Sequence, residues 1–437
     1  MDSRYVKDRM AVVWSYLTKF TNWVKVEEAV LRVKKMLGEL NADIPDNLLE
    51  TISINVDEIY RLEHDPETGT GHDVVAFLKH TAPQLPAQLR PHWHRKLTSY
   101  DPQDTGLSMQ LVASTQLILE ELENAMEAVK KKALQYKYAV QMGRTHGVHA
   151  ELITFGVKLA NWYDELRRHR ERLRRLIKIL AVGKISGAVG MYTLDPRIEE
   201  LVCEKLGLKP IISTQIISRD LIAECLTTFA IIGGSLQKFS VCARTLQRTE
   251  ILEAMEYFSR TQRGSSAMPH KKNPKEFEKI CGLARLLRGY ATVALENQET
   301  QDERDLTNSS PERVILPDAS HILYYMLTCF TDAITKWLIY PEKMKGNIIL
   351  TKGLIFSQDV QSLFANESNL PREEACDIVC QIAQRCWDEG MEFLEALCAD
   401  SRVSQHISRE QLQTCFQIEP KIKYVDYIFE RVFGKAA

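Results

Sequence analysis

Apolar residues along the chain recur at helical spacing rather than strand spacing. Residues 107–142 contain neither proline nor glycine, and in them Leu111, Ile118, Leu122, Met126, Val129 and Ala133 follow at steps of 7, 4, 4, 3 and 4. Steps of three and four keep side chains on one face of an α-helix. Residues 154–182 repeat the pattern with Phe155, Leu159, Trp162, Leu166, Leu173 and Leu176. Residues 318–340, DASHILYYMLTCFTDAITKWLIY, are apolar on more than one face, which predicts burial on several sides. Proline is absent from 103–195, 211–268, 275–310 and 318–340. Stretches of that length without a breaker predict long helices. No βαβ alternation and no strand–turn–strand spacing stands out, so the expected fold is all-α.

Breakers then divide the chain. Pro83, Pro86, Pro91 and Pro102 mark a loop-rich boundary, and Pro341 marks a second. Three helical domains are expected: 1–104, a central long-helix bundle over 105–341, and 342–437.

Composition narrows the class. Among 437 residues, 45% are apolar and 26% charged, the profile of a chain that can bury a core. The formal net charge of −2 argues against a nucleic-acid partner, which requires a basic face. The ten cysteines contain no CxxC pair and none precedes Cys203, unlike a disulfide framework. Cys376 and Cys380 share a helix face, but no histidine close in sequence completes a zinc set, so no metal is expected. MDSRYVKDRM carries charges where a signal peptide is apolar, and no run of 18 apolar residues suggests a membrane span. A cytoplasmic location is expected.

The candidate chemistry lies in polar islands between helical stretches. GTGHDVVAF (69–77), HRKLTSYD (94–101), MGRTHGVHAE (142–151), GKISGAVG (183–190), STQ (213–215), GSSAMPHKKNP (264–274) and ERDLTNSSPER (303–313) combine hydroxyls, histidines and basic residues. Arg144, Arg304, Arg313, Lys271 and Lys272 suit carboxylate or phosphate ligands. His72 and His146 offer proton transfer near neutral pH. The run ELRRHRERLRRLIK (165–178) reads as a solvated or subunit-facing helix side, or as an anion site. P-loop, GxGxxG, HExxH and GxSxG patterns are missing. In the 264–274 stretch, Gly264 and two serines precede a segment stiffened by Pro269 and Pro274, the composition of a loop that closes on a ligand. A serine there could take a proton from carbon if Lys271 and backbone N–H groups lowered its pKa.

GSSAMPHKKNP resembles the signature loop of the fumarase/aspartase superfamily, whose members cleave C–N or C–O bonds and release fumarate. The similarity extends through Arg4–Tyr5, HDVVAF, LTS, MGRTHGVHAE, GKISGAVG, VCEKLGLK and STQ to VDYIFER, nearly the whole chain. The resemblance implies three mostly helical domains, a homotetramer built on a shared helical core, active sites made by three subunits, and no cofactor. It implies that Ser265 is the general base and His146 the general acid, paired with Glu278. Lys271 and Asn273 would hold a substrate carboxylate and stabilise the carbanion, with Thr98, Ser99 and Thr145 alongside. Ser266 and Met268 belong to the same substrate loop, and Gln215 would orient the substrate. Arg4, Tyr5, Arg304, Ser309 and Arg313 would bind a nucleotide phosphate. His72 and Asp73 would shape that pocket, with a rival proton-transfer role for His72. A lyase on a different succinyl or carboxylate substrate and a non-catalytic helical scaffold are the alternatives. The chain departs from the family's usual pattern at Gly71, where a basic residue is common, at Arg95–Lys96 in place of Tyr-Gly, at Tyr100 in place of a small polar residue, and at Lys279 in place of Asn. Arg95 or Lys96 is the expected replacement for the missing cation before His72.

Overall fold

The computed structural model describes residues 2–259, 261 and 268–435. From the N-terminus, α1 (Asp8–Val13) and α2 (Tyr16–Met36) precede α3 (Leu48–Thr51), α4 (Val56–His64) and α5 (Asp73–Thr81). Five long helices follow: α6 (Tyr100–Gln135), α7 (Phe155–Leu180), α9 (Asp220–Leu246), α10 (Lys275–Glu296) and α11 (Ser309–Lys336), with α8 (Pro196–Lys205) between α7 and α9. Beyond them lie α12 (Pro341–Ile348), α13 (Ser357–Glu367), α14 (Arg372–Glu389) and five further short helices. The fold is mostly helical. At 36 residues, α6 is about 54 Å long, from a rise of 1.5 Å per residue.

The apolar stripes are core faces. Leu111, Ile118, Leu122, Met126, Val129 and Ala133 on α6 are buried, as are all six α7 stripe residues. On α11, Ile322, Leu323, Met326, Leu327 and Phe330 are buried as well, consistent with its multi-sided apolar pattern. Pro317 falls inside α11 and does not end it, although it removes one backbone donor there. α9 is long and apolar enough to cross a membrane by composition, but most of its apolar window is buried within the protein, as in a core helix.

One expectation fails between α6 and α7. Residues 140–154 form an antiparallel hairpin of β1 (Val140–Thr145) and β2 (Val148–Thr154), with Thr145 paired to Val148. Two residues, His146 and Gly147, make the turn with φ of 55° and 82°. Two consecutive positive φ values match the right-handed twist of the flanking strands. The only other strand pairings among the described residues are two-residue contacts, 182–183 with 209–210 and 254–255 with 338–339.

Two compact units divide the chain. The first comprises residues 1–124, 168–238 and 279–330, and the second 125–167, 239–278 and 331–437. In the first, Phe20, Trp23, Phe77 and Trp93 anchor one apolar cluster, and Val26, Val30, Ile198 and Val202 join α2 to α8 in another. In the second, Val360, Phe364, Val379, Phe393 and Leu412 form the core beyond residue 350. Trp162 stacks on Phe239 and on Trp337, with ring centroids 4.7 and 6.1 Å apart.

Candidate active site

The first unit gathers His72, Asp73, Thr98, Ser99, Gln215, Arg304, Ser309 and Arg313. His72 is the N-cap of α5, where its Nδ1 accepts from the Val74 N–H at 3.2 Å. A neutral His72 in that arrangement carries its proton on Nε2, which lies 3.4 Å from the Ser99 hydroxyl. Asp73 is buried and accepts from Lys19 at 3.1 Å and from Gln103 at 3.0 Å, while Arg313 lies 3.6 Å away. Burial disfavours its carboxylate, but Lys19 and Arg313 outweigh that and hold its pKa below the usual range. Burial wins at Lys19, whose ammonium titrates below its usual value despite Asp73. A cavity of about 300 Å³ opens here, bounded by Lys19, Asp73, Tyr100, Ser309 and Arg313.

Buried charges that the sequence reading passed over hold these loops. Lys184 and Asp101 pair at 2.8 Å with both side chains fully buried. Asp101 also accepts from the Thr98 N–H at 2.8 Å, and Lys184 donates to the Gln215 carbonyl at 2.9 Å. Arg219 is clamped between Asp104 and Glu312, at 2.7 and 2.9 Å. Burial raises the Glu312 pKa even with Arg219 beside it. Nothing local in sequence marks these pairs, because their members stand 83 or more residues apart.

Arg304 donates to Gln215 Oε1 at 3.4 Å, and its guanidinium carbon lies 4.0 Å from the Tyr100 ring centre. Thr214 donates to the Glu303 carbonyl at 2.8 Å, joining the STQ and ERD loops. Arg4 is exposed. Tyr5 packs edge-on against Tyr325 of α11 at 5.1 Å, and Lys279 donates to the Tyr325 hydroxyl at 3.2 Å. Arg95 and Lys96 are exposed, and neither forms a hydrogen bond or ion pair with His72 or Asp73 among the described residues.

The second unit carries Thr145, His146, Met268, Lys271, Asn273 and Glu278. Thr145 and His146 stand exposed at the hairpin turn. Gly143 lets the strands approach, since a Cβ there would lie 2.7 Å from the Glu151 carbonyl oxygen. Arg144 is not a free cation for a ligand. It makes a bidentate contact with the fully buried Glu253, at 3.1 and 2.7 Å, and Asn347 donates to the same carboxylate at 2.8 Å. Burial, with Arg144 nearby, lowers the pKa of the next histidine, His149.

Ser265 and Ser266 lie outside the described residues. Met268, Lys271 and Lys272 are exposed and Asn273 is half-buried. The stem of their loop is fixed by Gln247, which donates to the Lys272 carbonyl and accepts from the Glu256 N–H, both at 2.8 Å. Glu256 in turn accepts from the Glu276 N–H at 3.0 Å, placing a carboxylate at the positive end of α10. Glu278 lies 4.0 Å from Arg244, and no hydrogen bond joins it to His146 among the described residues. No group of three or more His, Cys, Asp or Glu among the described residues could hold a metal ion.

The long-helix fold has close counterparts among solved structures. A fumarate lyase from a Mesorhizobium species superposes with a TM-score of 0.88 at 23% identity, covering 99% of this chain and 98% of that one. A 3-carboxy-cis,cis-muconate lactonizing enzyme from Pseudomonas putida gives 0.86 at 24%, covering 99% and 97%. Residues 8–289 match a family model described as a lyase, so fold and sequence together define the class. Residues 353–432 match the adenylosuccinate lyase C-terminus. Adenylosuccinate lyases of a Synechocystis species and of Bacillus subtilis are each 42% identical, over 99% of this chain and 100% and 99% of their own lengths. The chain belongs to the adenylosuccinate lyase family.

Proposed function

We propose that the protein splits adenylosuccinate into AMP and fumarate, and by the same elimination splits SAICAR into AICAR and fumarate, two steps of purine nucleotide biosynthesis. The observation that carries the reading is the 42% identity to adenylosuccinate lyases over essentially the full chain. Ser265 removes a proton from the succinyl β-carbon. The electron pair left behind forms the C=C bond as the C–N bond breaks, and His146 protonates the departing nitrogen. Lys271 and Asn273 hold the carboxylate that spreads the carbanion's charge. Arg4, Tyr5, Arg304, Ser309 and Arg313 take the phosphate, Gln215 orients the substrate, and Thr98, Ser99 and Thr145 stand alongside Lys271 and Asn273. His72 and Asp73 border the nucleotide, and His72, whose Nε2 lies 3.4 Å from the Ser99 hydroxyl, is the rival candidate for proton transfer. No cofactor enters the chemistry.

The exposed His146 turn supports a site completed by other copies of the chain. So do the apolar side chains exposed on the long helices, including Ile231 and Val241 on α9, Leu286 and Leu295 on α10 and Val314 on α11. A cytoplasmic homotetramer with each site shared by three subunits is the assembly this reading requires. The test follows purine absorbance while fumarate is assayed, with purified protein and adenylosuccinate. Equimolar AMP and fumarate support it; a folded protein without turnover overturns it. Ser265→Ala should abolish turnover while substrate binding persists.

A further inference from the structure

Tyr100 is buried at 6% exposure and opens α6, directly after the Thr98–Ser99 turn that Asp101 ties down. Burial restricts the motion of its ring. The Arg304 guanidinium carbon lies 4.0 Å above it, well inside the range at which a cation is attracted to an aromatic face. The rest of Arg304 is held loosely. Its Nε is buried without a hydrogen-bond partner, and its one side-chain hydrogen bond among the described residues is the 3.4 Å contact to Gln215. The backbone beneath is fixed, by Thr214 on the Glu303 carbonyl and by Asp305, which accepts from the Gln301 and Thr307 N–H groups at 2.8 and 2.7 Å. Of the two groups that the guanidinium meets among the described residues, Gln215 and the Tyr100 ring, the ring belongs to the buried start of α6.

We propose that Tyr100 is a positioning residue: its ring is the platform that sets the direction of Arg304, and through it Gln215, so that the free terminal N–H groups of Arg304 meet the substrate's phosphate. This rests on the function proposed above. The ring touches no reacting atom, so its loss weakens binding and leaves the chemical step alone.

Steady-state kinetics on adenylosuccinate with Tyr100→Leu and Tyr100→Phe test it. Tyr100→Leu should raise KM about tenfold, within the span of cation–π contacts, with kcat held within about twofold. Tyr100→Phe, which keeps the ring, should stay within about twofold of the wild-type KM. In an Arg304→Ala background, Tyr100→Leu should add no further loss. An unchanged KM in Tyr100→Leu, a Tyr100→Phe loss as large as that of Tyr100→Leu, or an equal added loss without Arg304 each overturns the proposal. Should Tyr100→Leu not fold, Arg304→Lys carries the test. It keeps the charge without the planar fork that stacks on the ring, so in an Arg304→Lys background Tyr100→Phe and Tyr100→Met should have equal KM; a Tyr100→Met loss as large there as in the Arg304 protein overturns the platform. The wild-type rate reports separately on the proposed function. If the wild type is inactive on adenylosuccinate, the same comparisons are read from AMP binding by calorimetry.

Discussion

Lys184 and Asp101 form an ion pair 2.8 Å apart in which neither side chain reaches solvent. Between them they tie down three loops, through the Thr98 N–H, the Gly187 backbone and the Gln215 carbonyl. Removing one charge strands the other in a medium that cannot solvate it. Lys184→Met should therefore lower the unfolding free energy by about 3 kcal/mol or more, read by denaturant titration. The double variant Lys184→Met, Asp101→Leu removes both charges and should recover part of that stability. It should not recover kcat/KM, because the anchors of Thr98 and Gln215 are still missing. Full recovery of activity would detach this pair from the site.

His146 occupies an exposed turn with φ of 55°, so its side chain contributes little to folding. As the proposed acid, it contributes to the departure of the nitrogen. His146→Gln should reduce kcat by about 10²–10⁴ with an unchanged melting temperature. A kcat within a few-fold of wild type would assign the proton to another group, with His72 first in line.

The long helices were legible because their core faces repeat every three to four residues, and the α6 and α7 stripes are buried residue for residue. The 140–154 hairpin was not. Its strands carry Arg144, His149 and Glu151 without a clean alternation, and the only sign of a turn is Gly147 after a histidine. The proline-free run 318–340 is only part of its helix: α11 begins at Ser309 and passes through Pro317, where a long buried helix outweighs one lost hydrogen bond. Of the site, motif residues stood out because hydroxyls and histidines interrupt helical patterns. Arg144 was placed among ligand cations because its partner, Glu253, is 109 residues away. Lys184, Arg219 and Gln247 were passed over for the same reason: a side chain that props up a site through distant contacts has no local signature.

His94 and Glu27 lie 2.6 Å apart, and Glu27 also accepts from the His94 N–H at 3.0 Å. Burial opposes the imidazolium, but Glu27 outweighs it and raises the pKa of His94 above its ordinary 6.5. A group whose folded pKa is raised stabilises fully below its unfolded value and loses that contribution as pH climbs through the folded one. The stability gap between wild type and Glu27→Gln should be widest below about pH 6.5 and narrow progressively above it, followed by thermal unfolding across pH. A gap that widens with rising pH would show that His94 is neutral in the folded protein.

Lys96 holds φ of 66°, a left-handed conformation, with its carbonyl accepting from Thr193 at 2.6 Å. A side chain in that region costs about 1–2 kcal/mol that glycine avoids, partly offset by glycine's greater freedom when unfolded. Lys96→Gly should thus stabilise the protein by about 0.5–1 kcal/mol in denaturant titration. Lys96→Ala keeps the strain and removes only the ammonium, so it separates backbone from charge. If Lys96 or Arg95 supplies the cation missing before His72, the alanine variant of that residue should raise KM for adenylosuccinate while stability stays level. Should both alanine variants keep the wild-type KM, neither side chain meets the substrate. The left-handed lysine would then be a strained link in a loop that Glu27, Lys34 and Thr193 hold in place by its backbone.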